Sequence, residues 1–182
     1  MYKKIKTEEI FKGRILDLKL EYFETEEKVL KREIVEHKDA VAIFPIDKDG
    51  YVYLVKQFRF PVEMDVLEIP AGLVEDGENY EETALRELQE EIGFSSKNLE
   101  KVFEGYNSIG FCTEKTVIYR ACDLFSSKLP EDDDENLSIV KIHFEDLKKM
   151  YFNGEINDFK TAMAIFSASC ALRLDSIALA LR

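Results

Sequence analysis

Polar and apolar positions alternate through most of the first 70 residues. DLKLEYF (17–23), VLKREIVE (29–36), AVAIFPID (40–47) and YVYLVKQF (51–58) carry period-two patterns rich in β-branched and aromatic side chains, the signature of strands. Between the last two, Asp49 and Gly50 suit the positive φ angles of a tight turn, which predicts an antiparallel hairpin. VLEIP (66–70), LEKVFEGY (99–106), KTVIYRACDL (115–124) and SIVKIHFE (138–145) read as further strands. The spacing switches to the helical period over 80–92, 145–152 and 158 to about 181. The last of these is apolar on more than one side, so it is expected to face both the core and a second subunit. The order implies an α/β fold, a mixed sheet with helices on its faces.

The most informative segment is Gly72 to Phe94, GLVEDGENYEETALRELQEEIGF. Asn79 is placed to cap the helix, Glu82 three residues on completes a capping box, and Gly93 supplies a left-handed stop. At about 100° per residue, Ala84, Leu88 and Ile92 gather on one side with Leu85, while Glu87, Glu90 and Glu91 gather on another. Such a face is either a solvated acidic stripe, with Arg86 pairing Glu82 or Glu90, or a set of hard oxygen ligands for Mg²⁺ or Mn²⁺. Like charges at i,i+4 repel by a few tenths of a kcal/mol, and a dication would turn that repulsion into attraction.

Composition narrows the class. The 182 residues, 46% hydrophobic, suffice for a real core. A net charge of −12 disfavours nucleic acid and anionic lipid as partners. Cys112, Cys122 and Cys170 lack metal or disulfide spacing, which points to reduced thiols and a cytoplasmic setting. MYKKIKTEEIFKG lacks the apolar core of a signal peptide, and the apolar run from Thr161 to Leu172 is too short to span a bilayer. With only His37 and His143, a serine or cysteine triad has few candidates, and each histidine reads as structural or surface.

Gly72, five residues, Glu78, seven residues, then RELQEEIGF (86–94) resembles the Nudix box at every fixed position. The likeness extends over about residues 10–170 and is strongest to the ADP-ribose pyrophosphatase branch of the Nudix hydrolases, through FKGRILDLKL, LKREIVEH, VKQFRFPVE and LEIPAGLVEDGE. The resemblance implies an α/β/α sandwich with a mixed β-sheet and an N-terminal antiparallel strand extension. It divides the chain into a dimer-forming extension, residues 1–38, and a Nudix hydrolase domain, residues 39–182. It also implies a homodimer without nucleic-acid or membrane partners.

The activity implied is Mg²⁺-dependent hydrolysis, Mn²⁺ substituting, of ADP-ribose or a related nucleoside diphosphate sugar. By the same resemblance Glu87, Glu91 and Glu90 hold the metal with the carbonyl of Ala71, Arg86 keeps the carboxylates in register, and Glu78 braces the loop. An acidic stretch, PEDDDEN (130–136), supplies the base, with Glu135 first and Asp133 second. Arg32 and Arg59 match phosphate-contacting positions, Glu114 falls near the substrate, and Phe23 and Tyr106 are placed to stack on a base. In GYNSIGFCTEK (105–115), Ile109 stands where the ADP-ribose branch carries proline. That departure leaves a GDP-mannose-type substrate as the alternative reading; a Nudix-fold sensor that binds a nucleotide without cleaving it is a separate one, disfavoured because Glu87, Glu90 and Glu91 are all present.

Overall fold

The computed structural model describes residues 1–130 and 137–180, with side chains as far as residue 170. The chain divides into two compact units, residues 1–40 with 104–116, and residues 41–103 with 117–182.

In the first unit β1 (Lys3–Lys12), β2 (Leu16–Glu24) and β3 (Val29–His37) form an antiparallel sheet in that order. β1 was not among the expected strands. Register shifts between Lys4 and Lys6 and between Glu9 and Phe11 put Ile5, Ile10 and Phe11 out of phase, so the alternation that announces a strand is missing. β3 is tied to the segment that follows Tyr106: Val35 donates to the Phe111 carbonyl at 2.8 Å, and Thr113 donates to the Val35 carbonyl at 3.0 Å. Lys115 pairs with Asp39 and Glu104 at 3.5 and 3.1 Å. No residue of β1–β3 is fully buried within the chain.

The second unit holds two sheets. One has the order β7 (Ala71–Leu73), β4 (Ala40–Pro45), β9 (Lys115–Ser126), β8 (Phe94–Tyr106); the other is β10 (Ser138–His143), β5 (Tyr51–Arg59), β6 (Met64–Glu68). The expected hairpin of β4 with β5 therefore does not form. Asp47 does make the turn, its carboxylate accepting from Asp49 and Tyr51 N–H at 3.0 and 2.9 Å, and Gly50 sits at φ 82°. Beyond an isolated bridge of Ile46 with Val52, however, the chain leaves one sheet for the other. Both strands are apolar on two faces, and burying all four faces requires two layers.

Helix α1 (Tyr80–Glu91) covers one side of β4, and α2 (Phe144–Phe152) with α3 (Phe159–Ala180) covers the other. Val41 and Ile43 of β4 pack with Ala84, Leu88 and Ile92 beside α1's strands. Their neighbours Ala42 and Phe44 pack with Phe144, Leu147, Ala164 and Ile165. Period two thus supplies both cores from one strand, and each buried Leu or Ile contributes about 2 kcal/mol. Phe159 and Phe166 of α3 stay 64% and 54% exposed. No described helix is long and apolar enough to cross a membrane.

Candidate active site

The ends of α1 follow from its sequence. Asn79 accepts from Glu81 and Glu82 N–H at 3.0 Å each, and the Glu82 carboxylate accepts from Asn79 N–H at 3.0 Å, completing the capping box. Gly93, at φ 73°, lets the chain turn straight into β8. Because Ala84, Leu88 and Ile92 dock, the orientation of the acidic face is fixed.

Arg86 organises that face. All five guanidinium donors find acceptors: Glu78 at 2.9 and 3.1 Å, the Leu73 carbonyl at 3.1 Å, Glu87 at 2.6 Å and Glu90 at 2.9 Å. Glu78 also accepts from Thr83 Oγ1 at 2.9 Å and from Glu75 N–H at 3.3 Å. Arg86 and these donors bring the Glu78 carboxyl down to about 2. In return Glu78 raises the guanidinium above its ordinary value. Glu78 joins loop to helix, while Glu87 and Glu90 share the other end of the arginine.

β7 passes over the carboxylates with almost no clearance. A Cβ on Gly72 would lie 1.9 Å from Glu87 Oε1, so only glycine lets the strand come this close. Beside it, Ala71 N–H donates to Glu91 Oε2 at 3.2 Å. Glu87 and Glu91 are 7% and 3% exposed, far below what is ordinary for glutamate. Carboxylate oxygens packed under a bare backbone are the donor set a hard divalent cation requires, so the residues present fit Mg²⁺ or Mn²⁺. In the arrangement seen, no three acidic, histidine or cysteine side chains among the described residues converge as a closed ligand shell. Glu87 and Glu90 are turned onto Arg86, and gathering them on an ion requires rotating them off it.

In the same unit Arg59 holds Glu68 through Nε at 2.6 Å and Nη2 at 2.7 Å, and Lys160 Nζ reaches Glu68 Oε2. Burial opposes the charge of Glu68, but the two cations overcome it and keep its carboxyl below its usual range. Arg59 thus pairs with Glu68. Neither Glu68 nor Lys160 stands out from sequence alone, although a lone carboxylate inside the apolar strand VLEIP signals a buried cation partner.

The remaining candidates belong to the first unit. Arg32, exposed on β3, donates from Nη1 to its neighbour's carbonyl, Lys31 O, at 2.8 Å. Phe23 lies opposite Leu30 on β3 and Lys4 on β1 and is partly buried; Tyr106 is 55% exposed. Glu114 has an oxygen 4.0 Å from His37 Nδ1, and its carbonyl accepts from Asn107 N–H at 3.1 Å. The structure therefore brings Ala71, Arg86, Glu87, Glu90 and Glu91 together. Glu135 and Asp133 lie outside the described residues.

A glycine-floored strand over an acidic helix, with α/β layers on either side, defines a Nudix-type hydrolase. The NUDIX domain family model matches residues 36–162, and the chain belongs to that family. It is 42% identical over 166 residues, 90% of each chain, to an ADP-ribose pyrophosphatase of Bacillus subtilis (strain 168). Over the same share of each it is 36% identical to a methanol dehydrogenase activator of Bacillus methanolicus. A GDP-mannose pyrophosphatase of Yersinia enterocolitica is 31% identical over 144 residues, 74% of this chain and 75% of that one. A crystal structure of an ADP compounds hydrolase superposes with a TM-score of 0.80 at 24% identity, covering 96% of this chain and 95% of the other. That last likeness is one of fold.

Proposed function

We propose that this Nudix hydrolase cleaves the diphosphate of ADP-ribose, with Mg²⁺ as its ion, releasing AMP and ribose phosphate. The observation that carries the reading is the cluster of helix carboxylates, Glu87 and Glu90 held by Arg86, Glu87 beneath the Gly72 backbone and Glu91 on the Ala71 N–H. The 42% identity to an ADP-ribose pyrophosphatase supports the substrate.

Glu87, Glu90 and Glu91, with the Ala71 carbonyl, would hold the metal. When bound, a divalent ion neutralises diphosphate oxygens and lowers the pKa of a water. With an ion there, Arg86 would give up Glu87 and Glu90 and keep Glu78, so the loop would stay braced. Glu135 or Asp133 takes the proton from the attacking water, and Arg59 holds a phosphate as a two-pronged donor. Arg32, Glu114, Phe23 and Tyr106 take the phosphate, substrate and base contacts that the family resemblance assigns to them. The three free thiols, Cys112, Cys122 and Cys170, are compatible with a cytoplasmic protein. The strands β1–β3, with no buried residue of their own, supply a surface for a homodimer.

A sugar nucleotide of the GDP-mannose type is the second reading, favoured by the 31% identity to a GDP-mannose pyrophosphatase and by Ile109, 80% exposed, where the ADP-ribose branch has proline. A panel of ADP-ribose, ADP-glucose and GDP-mannose, each with Mg²⁺ and with Mn²⁺, tests both. ADP-ribose is expected to give the highest kcat/KM, with AMP as product; higher kcat/KM on GDP-mannose transfers the assignment. Glu91→Gln is expected to lower turnover at least ~100-fold, and wild-type turnover by that variant would remove the metal assignment.

A further inference from the structure

Glu68 follows Leu67 and precedes Ile69 in a strand whose end is 2% exposed at the carboxylate residue. A charge there is tolerated only when it is paired. Two cations reach it. Arg59, in register with Met64 at the far end of the hairpin, extends back and grips both carboxylate oxygens; Lys160, in the first turn of α3, bonds Oε2. Lys160 also pairs with Asp158 at 3.1 Å, and Asp158 accepts from Thr161 N–H at 3.0 Å and from Thr161 Oγ1. Thr161 Oγ1 in turn accepts from Ile69 N–H at 2.8 Å, with Thr161 wholly buried. The start of α3 is therefore bonded to the residue after Glu68 and, through Glu68, to Arg59.

This web gives Arg59 two unlike edges. The Nε/Nη2 edge is fixed to a carboxylate 3% exposed, while the arginine side chain as a whole is 42% exposed. Among the described residues Nη1 makes no hydrogen bond. Neutralising Glu68 does not by itself call for Arg59, because Lys160 contacts the same carboxylate. Two carboxylates and two cations also balance, so what the cluster offers a phosphate is aimed donors and not net charge.

We propose that Glu68 is a positioning residue: it fixes the direction in which Arg59 presents its outer donors to the diphosphate, while Lys160 on α3 holds the Glu68 carboxylate and Thr161 holds the backbone of the residue after it. The proposal rests on the reading that this site takes a diphosphate. Substrate recognition then extends to the first turn of the last helix, which contributes no contact of its own.

The test is a kinetic cycle of Glu68→Gln, Arg59→Met and their double variant with ADP-ribose and Mg²⁺. Losing one charge-assisted hydrogen bond corresponds to about tenfold in affinity, so Glu68→Gln is expected to raise KM about tenfold and to change kcat less than about threefold. The Mg²⁺ concentration for half activation stays at the wild-type value. In the Arg59→Met background the second substitution adds less than about twofold, because coupled residues are not additive. Arg59→Lys keeps the buried charge pair, loses the fork and reproduces the KM rise, which serves if Glu68→Gln does not fold. An unchanged KM in folded Glu68→Gln or Arg59→Lys, or independent effects in the double variant, overturns the proposal. A second readout needs no turnover: exchange of the Arg59 Nε–H proton, followed by ¹⁵N NMR, is slow in the wild type and faster in Glu68→Gln. Equal rates overturn the positioning role even if the wild type hydrolyses no diphosphate, an outcome that would instead remove the proposed function.

Discussion

At Gly72 a single hydrogen atom separates a working arrangement from a displaced one. Gly72→Ala would set a methyl carbon 1.9 Å from Glu87 Oε1. The atom in the way is the end of a flexible side chain, so the carboxylate swings aside at little cost in stability. Turnover is expected to fall about 100-fold, the usual consequence of misplacing a reacting group by about 1 Å, while the melting temperature moves by only a few degrees; a thermal scan beside an activity assay checks both. Glu78 carries a pH dependence. Its folded value of about 2 lies below the ordinary 4.5, so its contribution is fully present above about pH 4.5 and is lost as pH falls toward 2. Denaturant midpoints of wild type and Glu78→Gln are expected to differ at pH 6 and to converge toward pH 2. The acidic face, Arg86 and Gly72 were legible because their chemistry is local, set by helix periodicity and a fixed spacing. Glu68 with Lys160 was not, since those partners are 92 residues apart and only the packing of α3 unites them.

At the scale of elements, α1 was readable to within a residue at each end because both its stops are local chemistry, Asn79 with Glu82 at the start and Gly93 after the end. Asn79→Ala removes acceptors for two backbone N–H groups and is expected to cost about 1 kcal/mol, measurable as a lower urea midpoint at constant m-value. β1 escaped notice because its bulges scramble the alternation, and β7, three residues long, offers too little pattern to register. The sequence pattern places β8 from residue 99, but it starts at Phe94; Ser95 to Asn98 are polar without alternation, and the helix stop at Gly93 hides the strand's start. The pairing of β4 with β5 failed for a different reason. A turn motif specifies that the chain reverses, not that the strands it joins stay in one sheet.

For the whole molecule, assembly turns on β1–β3, none of whose residues is fully buried within one chain. Ile5, Ile10 and Phe11 are 47%, 52% and 57% exposed within one chain, a large apolar exposure for one strand. Light scattering of the purified protein is expected to give twice the 21.1 kDa of a single chain, and Ile5→Lys with Ile10→Lys is expected to bring it to one. A wild-type mass of one chain would leave the homodimer without support. Period-two reading finds apolar side chains on β2 and β3, but it says nothing of what covers them.

β4 gives neighbouring positions separate duties. Ile43 supports the helix that bears the acidic residues, and Phe44 supports the two helices opposite. Ile43→Val should therefore disturb catalysis before it disturbs the remainder of the fold, whereas Phe44→Leu should loosen the C-terminal layer and leave the acidic helix seated. The two sites form a paired probe: adjacent codons, opposite walls, and a built-in control for whether a loss of activity comes from the reaction centre or from the scaffold behind it.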